Sequence, residues 1–189
     1  MECSFALIGK GYVIVASDTT AARSIVKMKS DEDKTKTLGP HLVMTYSGEP
    51  GEDALISSLH MAILTSTWPE GDTVQFAEHV ERNLRLHQIR HVHELRPSSA
   101  ASWIRRALAD SLRSRKPYAV NLLVGGFDTS KAAVVDGQEE LGGEPKLYWI
   151  DYLGTMAEVP FAAHGYGSYF ALSLLDRYVY CAYTRASLS

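Results

Sequence analysis

Two apolar runs at the start of the chain, Ser4-Phe-Ala-Leu-Ile and Tyr12-Val-Ile-Val-Ala, flank Gly9-Lys-Gly11 and predict a β-hairpin whose second strand ends on Asp18. Residues 18–24 lose the apolar pattern and are expected to form a loop, with a short strand over 25–28. The charged stretch 31–36 and the Gly39-Pro40 break precede a strand over 41–48 that ends in small residues. Leu55, Leu59, Ala62 and Ile63 fit one face of a short helix, which Trp68-Pro69 ends. Asp72 is a good N-cap, and Phe76, Val80, Leu84 and His87 recur at helical spacing over 73–90. A second helix opens at Pro97-Ser-Ser99, turns Ala100, Trp103, Ile104, Ala107, Leu108 and Leu112 inward, and stops before Pro117. Strand signals return over 118–126, 146–151 and 155–159. The acidic, glycine-rich stretch 128–145 is expected to be an exposed hairpin loop or partly disordered, 160–167 a loop, and 169–176 the start of a third helix. Strands, two helices, strands and a helix, in that order, predict an α+β domain with helices stacked on antiparallel sheets.

Bulk properties narrow the function without naming it. The 189 residues fit one domain, and 46% hydrophobic with 22% charged residues is ordinary globular composition. A formal net charge of −3 with no polybasic run argues against nucleic-acid or membrane-surface binding. The cluster Arg113-Ser-Arg-Lys116 reads as a basic helix C-terminus. Cys3 and Cys181 follow no metal-ligand spacing and imply no disulfide framework, so a reducing compartment fits. With no signal-peptide pattern and no apolar run of membrane length, the expected location is the cytoplasm, or the nucleus for a chain carried there in a complex.

Five motifs carry a resemblance: Ser47-Gly-Glu-Pro-Gly51, Asp72-Thr-Val-Gln-Phe-Ala-Glu78, Ser111-Leu-Arg-Ser-Arg-Lys-Pro-Tyr118, Gly125-Gly-Phe-Asp128 and Ile150-Asp-Tyr-Leu-Gly154. With them the sequence closely resembles proteasome beta subunits, and within that family the inactive subunit at the fourth position of the eukaryotic ring. The resemblance runs over 1–178, apart from an atypical insert at 52–71, and leaves 179–189 as a divergent tail. It implies a four-layer αββα sandwich of the N-terminal nucleophile type. It also implies a place in the 20S core particle among beta-ring neighbours, the opposing beta ring, alpha-ring subunits and assembly chaperones, in support of proteasomal protein degradation.

Active members of that family use an N-terminal threonine hydroxyl with its own α-amino group as base, tuned by a lysine and an aspartate and aided by a glycine N–H at the oxyanion. By the resemblance, Asp18, Lys34 and Gly48 match the aspartate, lysine and glycine. Glu2 falls at the nucleophile position, and Tyr166 at the position of a supporting serine. A carboxylate cannot replace the hydroxyl, so the chain is expected to have no threonine-protease activity of its own, and no cofactor or metal. Met1 precedes the first strand directly, and a bulky Glu2 disfavours its removal.

Other readings of these residues stand beside that one. With no nucleophile, Asp18 and Lys34 read more simply as an ordinary ion pair at the base of a hairpin. Cleavage before Cys3 would make an active N-terminal thiol hydrolase, against the simpler reading of Cys3 as packing. His87 and His91, one helical turn apart, and His93 are metal-ligand candidates without a further partner at zinc-type spacing. Tyr148, Trp149 and Tyr152 read as core and interface aromatics. The 52–71 segment is expected to be a retained short intron, because Gly51-Glu52 and Leu64-Thr65 admit donor-like and branch-like codons and Glu70 supplies a terminal AG. After Tyr178 the family adds a fourth helix and closing strands. A chain without them is expected to expose sheet edges and to be unstable alone, or to be a truncated product that does not assemble.

Overall fold

Each predicted strand and helix of the first hairpin and the helical pair forms, because both periodicities have something to bury against. The computed structural model describes residues 3–23, 26–48, 72–115, 117–129, 134–135, 138–139 and 143–186. Strands β1 (Cys3–Gly9) and β2 (Tyr12–Ser17) are joined by Lys10-Gly11, with Gly11 at φ +79°, a left-handed conformation that glycine adopts without steric cost. Strand β12 (Phe161–Gly165) pairs antiparallel with the other side of β1, Cys3 opposite Gly165, so three strands run β12-β1-β2. A second antiparallel sheet has five strands in the order β11 (Met156–Glu158), β10 (Glu144–Ile150), β7 (Asn121–Asp128), β6 (Leu42–Ser47) and β5 (Thr35–Gly39). Two small pairs, β3 (Ala21–Arg23) with β4 (Val26–Lys29) and β8 (Val134–Val135) with β9 (Gln138–Glu139), stand outside those sheets.

Among the described residues the helices are α1 (Asp72–His91), α2 (Pro97–Leu112) and α3 (Gly167–Ala186). Strand alternation divides the core in two. Leu42, Met44, Tyr46, Leu122, Val124, Tyr148 and Ile150 point one way and bury Phe76, Val80 and Leu84 of α1 with Ala100, Ile104 and Leu108 of α2. The opposite face turns Leu123 and Leu147 against Ala6 and Ala162 of the three-stranded sheet, with Val13, Val15 and Trp149 at the margin. A Cβ on Gly125 would lie 2.8 Å from Val13 Cγ1, so glycine sets how closely β7 and β2 approach.

Several expectations are corrected. The loop over 18–24 contains β3, which pairs with β4 across a bulge at Ala21. The charged stretch before Gly39-Pro40 carries β5, an edge strand with Leu38 as its one fully inward apolar residue. The loop over 160–167 contains β12, a strand of small residues that fits beside β1 because Ala162 and Ala163 need little room. Leu112 is 40% exposed rather than inward, since α2 ends there. Helix α3, whose start is expected over 169–176, continues past Tyr178 to Ala186. Of 128–145, residues 128–129, the β8–β9 pair and 143–145 are described; the rest, and the expected short helix within 52–71, lie outside the described residues.

His164, opposite Ser4 and 7% exposed, sits between the sheets. Its ring stacks on Trp149 at 5.2 Å and 16°, and Nε2 lies 3.3 Å from the Leu122 carbonyl oxygen. Burial pushes its pKa below the ordinary value, against the opposing pull of the Leu122 carbonyl, Asp151 and the Ile150 main chain. The unfolded chain therefore takes up this proton first as pH falls below about 6.5, and stability present above that value is lost through the window beneath it. Urea melts should give a lower midpoint at about pH 5.5 than at about pH 7.5, and His164→Phe should shrink the difference. Equal pH dependence in both proteins would refute this.

Candidate functional site

Strand ends bring three of the singled-out residues, Asp18, Lys34 and Cys3, into hydrogen-bond contact. Asp18 follows β2, Lys34 precedes β5, Cys3 opens β1 and Gly48 follows β6. Lys34 Nζ lies 3.1 Å from Asp18 Oδ1 and donates to the Thr20 carbonyl at 2.9 Å. Its side chain is 3% exposed, against 27% for Asp18. The same Asp18 Oδ1 accepts from the main-chain N–H of Cys3 at 3.1 Å, and Asp18 N–H donates back to the Cys3 carbonyl at 3.0 Å. One carboxylate thus holds a buried ammonium and the first amide of β1 at once.

Lys34 is aimed by its neighbours. Tyr46 N–H and the Thr45 hydroxyl both donate to the Lys34 carbonyl, at 3.1 and 3.0 Å. Asp33 Oδ1 accepts from Thr35 N–H at 2.9 Å and from the Thr35 hydroxyl at 2.5 Å, and the Tyr46 hydroxyl donates to the Asp33 carbonyl. The Thr35 hydroxyl first, then its N–H, hold the Asp33 carboxyl below its usual range. The sequence reading missed this clamp, although Asp33-Lys-Thr35 carries the signal of an Asp side chain bonding two residues on.

Gly48 is held by packing. A Cβ there would lie 2.3 Å from the Ala119 carbonyl oxygen and 2.7 Å from Thr73 Cγ2, which excludes any side chain. Cys3 is a free thiol whose Sγ would lie 1.8 Å from a Cβ on Gly167, so it packs at the start of α3. Tyr166 follows the Cys3–Gly165 pair and is 59% exposed. Glu2 lies outside the described residues. Among those described, no group of three or more potential metal ligands occurs. His87 and His91 do come together, ring centroids 4.4 Å apart. Tyr148 is core, Trp149 stacks on His164, and Tyr152 is 48% exposed. Ser4 and Ser47 carry buried hydroxyls without a hydrogen-bond partner, which no sequence pattern signalled.

Two antiparallel sheets with helices packed against them define an α+β protein. The chain belongs to the proteasome subunit family, whose profile matches residues 2–64 and 62–188. It is 40% identical over 178 residues to the probable proteasome subunit beta type-4 of Neurospora crassa, covering 94% of this chain and 72% of that one. Against proteasome subunit beta type-4 of Saccharomyces cerevisiae it is 40% identical over 166 residues, covering 88% and 68%. Against proteasome subunit beta type-2-B of Arabidopsis thaliana it is 40% identical over 178 residues, covering 94% and 73%.

Proposed function

We propose that this chain is a non-catalytic structural beta subunit of the 20S proteasome core particle, a wall element of the chamber in which neighbouring subunits cut peptides. The observation that carries the reading is membership of the proteasome subunit family; the lysine–aspartate pair, which active members also keep, is read as an anchor. Lys34 and Asp18 are joined to each other and to the main chain of Thr20 and Cys3, an arrangement that anchors β1. The relatives named beta type-4 at 40% identity support the same position. The reading includes the four-layer αββα sandwich, with α1 and α2 against the five-stranded sheet and α3 against the three-stranded one. It also includes alpha- and beta-ring neighbours, assembly chaperones, and residence in cytoplasm and nucleus.

Tagged chain expressed in cells should co-purify with alpha and beta subunits as a particle of core size. Recovery of the tag only in free or aggregated form would refute the reading and favour a non-assembling product. Intact mass separates the thiol-hydrolase alternative: a terminus retaining Met1 excludes it, and a new Cys3 terminus supports it. The thiol packed on Gly167 supports the structural reading.

The 52–71 segment is proposed to be a retained intron. The two matched ranges of the family profile meet at 62–64, inside it, which supports an interruption there. A transcript pool with no species lacking these codons would sink that idea.

A further inference from the structure

Between α1 and α2, away from the lysine–aspartate pair, lies a cavity of about 200 Å³. Leu84, Leu95 and Trp103 give it an apolar floor, and His87, Arg90 and His91 form a basic rim. Trp103 is held in place by stacking on His79, with ring centroids 6.2 Å apart and planes at 22°. His87 is half-buried, and its Nδ1 is buried with no hydrogen-bond partner. A buried imidazole nitrogen without a partner is costly, so a ligand that gives it one when the ring turns gains more than it would at a solvated ring.

The rim selects the sign of that ligand. Arg90 keeps its charge at every working pH. Among the described residues no carboxylate lines the cavity; on the same helix Glu78 and Glu81 are engaged by Arg82 and Arg85, and the nearby Glu94 accepts from Gln88. A cation would face Arg90 with only two imidazoles to bind it. A carboxylate meets a guanidinium and two imidazoles, while an apolar body covers Trp103 and the leucines. We propose that this cavity binds a carboxylate carried on an apolar or aromatic body, supplied either by a small organic acid or by an acidic side chain of a neighbouring polypeptide.

Benzoate is the probe, and carbethoxylation of histidines by diethyl pyrocarbonate, read by mass spectrometry on the full chain, is the measurement. Exposed His93 serves as internal reference and buried His164 reports folded molecules. At ten times its dissociation constant, benzoate should slow modification of His87 and His91 about ten-fold relative to His93. Neutral benzamide should not, and Arg90→Gln should weaken the benzoate effect about ten-fold or more. Equal protection by benzamide, protection by zinc ion but not benzoate, or an unchanged response in Arg90→Gln would each overturn the proposal.

A second arm, which rests on the subunit reading, uses chain incorporated into core particles. Rings already protected without benzoate identify a neighbouring polypeptide as the source, and rings that respond to added benzoate identify a free acid. Failure to form particles counts against the subunit reading alone, because the first arm needs no particle.

Discussion

Asp18→Ala is expected to destabilise the folded chain by about 3–5 kcal/mol, because it removes a carboxylate bonded to the ammonium of a fully buried lysine. Lys34 is 3% exposed and cannot swing into water without opening the junction of β5 with β6, where its own carbonyl is bonded to Tyr46 and Thr45. Lys34→Met should cost less, roughly 1–2 kcal/mol, since the Asp18 carboxylate left behind is 27% exposed and still accepts from Cys3 N–H. The double variant should then resemble Lys34→Met rather than the sum of the two, a coupling that chemical denaturation of the four proteins measures directly. Additive losses would show that the pair is not the unit drawn here. The same set separates anchoring from catalysis. In core particles containing Asp18→Ala chain, peptide turnover should fall only as far as incorporation falls. A selective loss of one peptidase activity at full incorporation would assign the pair a chemical role and refute the structural reading.

What the sequence disclosed about this fold divides along the range of the interactions involved. The β1–β2 hairpin was legible because its turn, Lys10-Gly11, and its apolar runs are local, and the two helices because Phe76, Val80, Leu84 and Ile104, Leu108 repeat at helical spacing. Strand β5 was not, because an edge strand needs only one apolar face and Thr35-Lys-Thr-Leu-Gly39 offers a single buried Leu38. Nor was β12, since Phe161-Ala-Ala-His-Gly165 becomes a strand through β1, more than 150 residues earlier, and through the stacking of His164 on Trp149. The site divides the same way. Residue type and resemblance singled out Asp18, Lys34 and Gly48, but the depth of Lys34 and the crowding of Gly48 against Ala119 are products of strand pairing that no local pattern encodes. The Asp33–Thr35 clamp was local and readable, and it was passed over because it sits within a run that looked merely charged.

Isolated chain is expected to self-associate as concentration rises, and two substitutions on separate surfaces should suppress it. Strand β2 has β1 on one side and no strand on the other among the described residues, and its sequence Tyr12-Val-Ile-Val-Ala-Ser17 carries no charge to discourage pairing. Tyr12 and Ile14 are 51% and 45% exposed, and a cavity of about 540 Å³ opens beside them between Val13, Thr37, Val43 and Gly125. Helix α3 adds a second surface, with Tyr169 and Phe170 exposed at 77% and 82% and Leu174 and Tyr178 near 60%. Apolar exposure on that scale is characteristic of surfaces that other protein covers. Ile14→Lys places a charge on the open edge, and Phe170→Glu places one on the helix; neither side chain contributes to the two buried clusters. Sedimentation velocity should show each variant monomeric at concentrations where the parent forms larger species, with the double variant the most soluble. The same changes should lower incorporation into core particles, because the surfaces that cause association of the free chain are those assembly would bury. A parent chain that stays monomeric and melts cooperatively would overturn the first expectation. Full incorporation of the double variant would overturn the second, and with it the idea that β2 and α3 face neighbours.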